Sequence, residues 1–132
     1  MDDDLTRVAF LYATVFGSTV ERELAALDGR NVIIFERDNR EDPADPCFGV
    51  ISYSISTDGC YIHDLAVRPA GQGIGKDLLQ KIIAMHGDKL TIELSVEPDK
   101  PWLKGYYARF GFEEKYITKY GSTRMTRSPA LL

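Results

Sequence analysis

Residues 61–76 read Tyr-Ile-His-Asp-Leu-Ala-Val-Arg-Pro-Ala-Gly-Gln-Gly-Ile-Gly-Lys, an apolar run that meets a loop with glycines at 71, 73 and 75. A helical pattern follows, with Leu78, Leu79, Ile82, Ile83 and Met85 on one stripe up to the stop at Gly87-Asp88. Residues 90–96 then alternate as a strand. A strand, a helix and another strand in that order are most simply a parallel pair joined by a crossover, which commits the chain to a layered α/β sheet. Glycines at such a junction let backbone N–H groups approach an anion, and the helix N-terminus adds partial positive charge.

The segments on either side supply the rest of the sheet. Residues 5–16 carry Leu5, Val8, Ala9, Leu11, Tyr12 and Val15 at helical spacing, ended by Gly17-Ser18. Ser18 or Thr19 caps a second helix to Leu27, with Glu21 and Glu23 in its first turn. Residues 32–35 form a β-branched strand, and the charged stretch from Arg37 to Pro46, broken by two prolines, forms an exposed, mobile loop. Residues 48–55 and 61–67 make a hairpin around Thr57-Asp-Gly59. Pro101 starts a further helix through Arg109, with Trp102, Leu103, Tyr106 and Phe110 on its apolar side; Gly111 stops it. Residues 112–126 form a strand pair around Gly121. The expected fold is α/β (α+β), a mixed twisted sheet of about six strands with helices on both faces.

With 132 residues, 44% hydrophobic and 27% charged, the expectation is one domain over 1–132. A net charge of -4 argues against a nucleic-acid surface and suits cationic ligands. The opening Met-Asp-Asp-Asp is unlike a secretory leader, so Cys47 and Cys60 are read as free packing thiols in a cytoplasmic protein. No apolar run reaches the roughly 18 to 20 residues needed to cross a bilayer, so no membrane association is expected. No His/Cys spacing for a metal is present.

Two phosphate motifs fail at named positions. A P-loop ending at Gly75-Lys76 would need glycine where Ala70 stands and Ser or Thr where Asp77 stands. A dinucleotide fingerprint would need glycine at Lys76 or Leu78. What remains is Gln72-Gly73-Ile74-Gly75-Lys76 after Asp64-Leu-Ala-Val67, and downstream Leu94-Ser-Val96 followed by Tyr107-Ala-Arg-Phe-Gly-Phe112. In these two segments, and in the order of elements over residues 5–126, the sequence resembles the GCN5-related N-acetyltransferase superfamily. It departs from the family where the stretch 67–73 is about two residues shorter, with Ala70 in the place of an Arg or Gln, and where Lys100 replaces an Asn. The family's first strand has no counterpart, the chain opening at the first helix.

The resemblance implies acetyl-CoA as cofactor and direct acetyl transfer to a primary amine of a small molecule or peptide. On that pattern, backbone groups of Leu65, Ala66 and Val67 hold the pantetheine arm. Gly71, Gln72, Gly73, Ile74, Gly75 and Lys76 hold the pyrophosphate, with Arg68 and Lys76 as cationic partners. Tyr107 is the matched general acid; packing beside Tyr106 and Phe110 is its alternative role. For the base, His63 and Asp64 adjoin the cofactor edge, and strand alternation points them to opposite faces; His63 ranks first, with Glu93, Glu97 or a water chain as other choices. Trp102 is read as core. The alternative to an enzyme is a non-catalytic acyl-CoA-binding regulatory module. As to association, the expectation is a monomer or homodimer.

Overall fold

A computed structural model describes residues 3–71 and 73–129. Among the described residues four helices, α1 (Asp3–Phe16), α2 (Val20–Ala26), α3 (Ile74–His86) and α4 (Leu103–Ala108), accompany six strands: β1 (Asn31–Arg37), β2 (Cys47–Ser56), β3 (Gly59–Arg68), β4 (Ile92–Val96), β5 (Glu113–Ile117) and β6 (Thr123–Arg127). The strands form one mixed sheet in the order β1-β2-β3-β4-β6-β5. The expected parallel pair is β3 with β4, in register Cys60↔Ile92 and Tyr61↔Glu93. β1 with β2, β4 with β6 and β5 with β6 are antiparallel.

The chain forms two compact units: residues up to Ser54 with His63–Leu79, and Ile55–Ile62 with residues from Gln80 onward. In the first, the α1 spacing buries Val8, Ala9, Leu11 and Tyr12 with Leu27, Val50 and Ala66, while Leu24, Val32, Ile34 and Phe48 pack around them. Val15, expected on that stripe, lies in the last turn and is half exposed. Gly17 takes φ +68° and Ser18 N–H bonds Ala13 carbonyl at 3.0 Å, a left-handed close that only glycine enters without strain. Thr19 caps α2, its hydroxyl accepting from Arg22 N–H at 3.2 Å. On the opposite face Gly49 leaves room for Ile74 and Leu78 of α3, whose side chains a Cβ at 49 would meet. β2 is therefore buried on both faces over Gly49–Tyr53, and the expected alternation is absent there.

The second unit buries Cys60, Ile62, Ile82, Ile92, Leu94, Val96, Phe112 and Met125. β4 alternates as expected. Three expectations are corrected. The helix predicted from Pro101 begins at Leu103, because Pro101 and Trp102 form the preceding turn. Trp102 is consequently 67% exposed and is not core. Met85, expected on the buried stripe of α3, is also half exposed, in the last turn of its helix. Cys47 and Cys60 are free, buried thiols; burial pushes the Cys60 thiol up to about 11, which keeps it protonated and unreactive at neutral pH. Among the described residues no helix is long and apolar enough to cross a membrane.

Candidate active site

The glycine junction lies wholly in the first unit. β3 ends at Arg68, the Arg68–Pro69 peptide is cis, and Gly71 and Gly73 take φ of +82° and +74°. Gly73 carbonyl accepts Asp77 N–H at 3.1 Å and so opens α3. The first-turn N–H groups of a helix have no intrahelical partner. A Cβ at Gly71 or Gly73 would meet nothing within 4 Å, so both glycines border open space. An exposed Lys76 and the helix dipole favour an anion there, while Asp77 in the same turn opposes it. Ile74 is 1% exposed and anchors the first turn. The loop and helix start thus offer the donors and the room that a pyrophosphate requires. Gln72, expected in this set, lies outside the described residues.

Along β3, Ala66 is buried in the α1 core and Leu65 and Val67 are half-buried. Arg68 is exposed and directs its guanidinium to Asp45 at 3.8 Å.

Upstream, the candidate bases sit in a polar cluster. Asp64 Oδ2 accepts from Arg30 Nη1 at 3.1 Å. His63 Nε2 lies 2.7 Å from Ser54 Oγ. The Tyr12 hydroxyl has Ser52 Oγ at 3.1 Å and Asp64 carbonyl oxygen at 3.4 Å as acceptors, and its burial holds the phenol well above its usual range. The His63 imidazole is held below its usual value, first by burial and then by the Arg30 cation, with Asp64 acting the other way. His63 is consequently neutral at pH 7 and can accept a proton.

The remaining expected groups belong to the second unit. Tyr107 is half-buried on α4, with its ring centroid 5.4 Å from Tyr106 and 5.9 Å from Phe112. Burial, then Tyr106, pushes its phenol up to about 12, so it keeps its proton throughout the physiological range. Glu93 is engaged by Arg124 at 3.6 Å, and Arg124 lies over the Tyr61 ring at 5.0 Å. Glu97 is exposed. Sequence reasoning missed Arg30, Ser54 and Tyr12. Tyr12 carries the pattern of a core residue and Arg30 that of a turn residue; their shared partner, Asp64, is 52 and 34 positions away.

Solved structures share the fold. The ribosomal-protein-S18-alanine N-acetyltransferase of Escherichia coli is 21% identical, covering 85% of this chain and 78% of that chain at a TM-score of 0.63. A mutant spermidine N-acetyltransferase SpeG of Vibrio cholerae is 14% identical, covering 97% and 92% at 0.66. NAA60 of Arabidopsis thaliana, crystallised with a bisubstrate analogue, is 16% identical, covering 94% and 91% at 0.63. No curated protein sequence matches the chain. The sequence profile of the acetyltransferase (GNAT) domain matches residues 28–114, from the turn before β1 into β5, and the chain belongs to that family of acyl-transferring enzymes.

Proposed function

We propose that this protein transfers an acetyl group from acetyl-CoA directly to a primary amine of a small molecule or peptide, in the cytoplasm, as a monomer or homodimer. The observation that carries the reading is the open space beside Gly71 and Gly73 ahead of the first turn of α3, inside the family-matched segment. Bound acetyl-CoA supplies the acetyl group as an activated thioester. Backbone N–H groups from Gly71 to Lys76, Gln72 included, hold its pyrophosphate, Arg68 and Lys76 add positive charge, and the backbone of Leu65, Ala66 and Val67 binds the pantetheine arm as an added strand.

An ammonium of pKa about 10 must lose a proton before it can attack. His63, neutral and hydrogen-bonded to Ser54, takes that proton, and Asp64, fixed by Arg30, orients the strand beside it. Tyr107 Oη retains the proton that the departing thiolate requires. Support for an amine acceptor comes from two fold neighbours whose names specify an alanine of ribosomal protein S18 and spermidine.

Titration calorimetry with acetyl-CoA, followed by thiol release over a panel of polyamines, aminosugars, amino acids and peptides, tests the reading. Micromolar binding with release for at least one amine is expected. Absence of binding overturns the cofactor site; binding without release for any amine overturns the enzyme and leaves an acyl-CoA-binding module.

A further inference from the structure

A cavity in the first unit, of about 470 Å³, runs along α1 between the end of β1, the start of β2 and the end of β3. Its volume lies in the range of small-molecule sites. Among the described residues, Arg68 is the one it shares with the proposed acetyl-CoA set.

The cavity combines an apolar floor with two opposed charge pairs. Phe10 projects from α1 with 59% of its surface exposed, and the half-buried Phe48 lines the same cavity. A phenylalanine left in water forgoes hydrophobic burial, and a ligand lying on the ring recovers it. Arg7 stacks its guanidinium over Phe48 at 4.6 Å and pairs with Glu36 at 3.1 Å. Across the cleft lining, Arg68 faces Asp45 at the looser distance of 3.8 Å. All four charged side chains are about half exposed and within reach of a solute.

The wall that carries Asp45 is fixed. Asn39 is 6% exposed; its Nδ2 donates to Asp45 carbonyl at 3.0 Å and its Oδ1 accepts Glu41 N–H at 3.0 Å. Asp45 N–H in turn donates to Asp42 carbonyl at 3.0 Å. The loop expected to be mobile is therefore braced from within, and Asp45 is presented without a large ordering cost on binding.

We propose that this cleft is a binding site for a free α-amino acid with a bulky apolar side chain, its carboxylate and ammonium completing the Arg68–Asp45 pair and its side chain lying between Phe10 and Phe48. The charge balance selects the class. A simple anion meets Glu36 and Asp45, and a simple cation meets Arg7 and Arg68. A zwitterion, whose two charges are a few ångströms apart, offers each member of a loose ion pair its opposite and brings no net charge. The aromatic and aliphatic floor then distinguishes a bulky side chain from a small polar one. The site lies outside the glycine junction and meets the proposed acetyl-CoA set at Arg68.

L-phenylalanine, phenethylamine and 3-phenylpropanoate serve as probes in ligand-observed NMR and calorimetry on the full chain. Saturable binding of L-phenylalanine is expected, about tenfold or more tighter than either probe lacking one charge. Phe10→Ser, at an exposed helix position, and Asp45→Asn are each expected to weaken it by about tenfold, with thermal unfolding confirming that both variants remain folded. The proposal is overturned if L-phenylalanine shows no saturable binding up to about 10 mM, beyond the affinity range of useful small ligands. Equal affinity for all three probes, or unchanged affinity in both folded variants, overturns it as well.

Discussion

Arg30 Nη1 donates to Asp64 Oδ2 at 3.1 Å, tying the turn after α2 to the strand that carries His63. Both side chains are less than one-third exposed, so the pair is shielded more than a surface ion pair. The same guanidinium disfavours a proton on His63, and Asp64 favours one. Arg30→Met keeps the length of the chain but removes the cation. The His63 pKa is then expected to rise, followed through its imidazole resonance in an NMR titration, and the fold to lose about 1 kcal/mol. A His63 titration that does not move would show that Arg30 acts only as a structural tie.

The depressed His63 pKa has a definite sign for stability. The folded state binds the imidazole proton more weakly than the unfolded chain does, so protonation favours unfolding. The contribution is present above the unfolded value of about 6.5 and is lost as pH falls through the lower folded value. Urea unfolding at pH 7.5 and 5.5 is expected to show wild type weakening more than His63→Gln. Equal losses in the two proteins would mean that other groups govern this interval.

Much of this architecture was legible because short-range rules coincide with it. The glycines at 17, 71, 73 and 111 all take positive φ at the ends of elements, where the sequence itself punctuates them, and β4 buries alternate residues as its pattern indicates. The failures have two sources, contacts remote in sequence and the placing of a helix boundary. β2 shows no alternation because α1 and α3 cover its two faces. Trp102 is apolar and correctly spaced for a helix face, yet it precedes the six residues that become helical. At the candidate site the loop could be read from its glycines, whereas the Arg30–Asp64 and Ser54–His63 contacts depend on a fold that no local pattern encodes.

Gly73→Ala and Gly49→Ala should fail in different ways. At Gly73 the added methyl meets no atom within 4 Å, but φ of +74° costs a side chain roughly 1–2 kcal/mol. The methyl also enters the open cradle. Calorimetry is expected to show acetyl-CoA affinity reduced about tenfold or more, with a modest drop in thermal midpoint. At Gly49 the methyl runs into Ile74 and Leu78, so the first turn of α3 must move, at a cost of roughly 1–3 kcal/mol. Its thermal midpoint should fall at least as far as that of Gly73→Ala. Full acetyl-CoA affinity in a folded Gly73→Ala protein would place the anion elsewhere.

Tyr107→Phe separates the proton-donating role of the phenol from its packing. The ring meets Tyr106 and Phe112 edge-on, and phenylalanine preserves both contacts, so stability should change by less than about 1 kcal/mol. What is lost is a hydroxyl whose pKa of about 12 keeps it protonated wherever the enzyme works. Loss of a positioned acid typically lowers turnover by roughly 10²-fold or more. The expected result is therefore a folded protein that binds acetyl-CoA with unchanged affinity, measured by calorimetry, while thiol release falls by about that factor. Unchanged release would assign Tyr107 to packing alone. Lost binding together with lost release would assign it to the cofactor site and not to proton transfer, because a pure acid acts after the cofactor is bound.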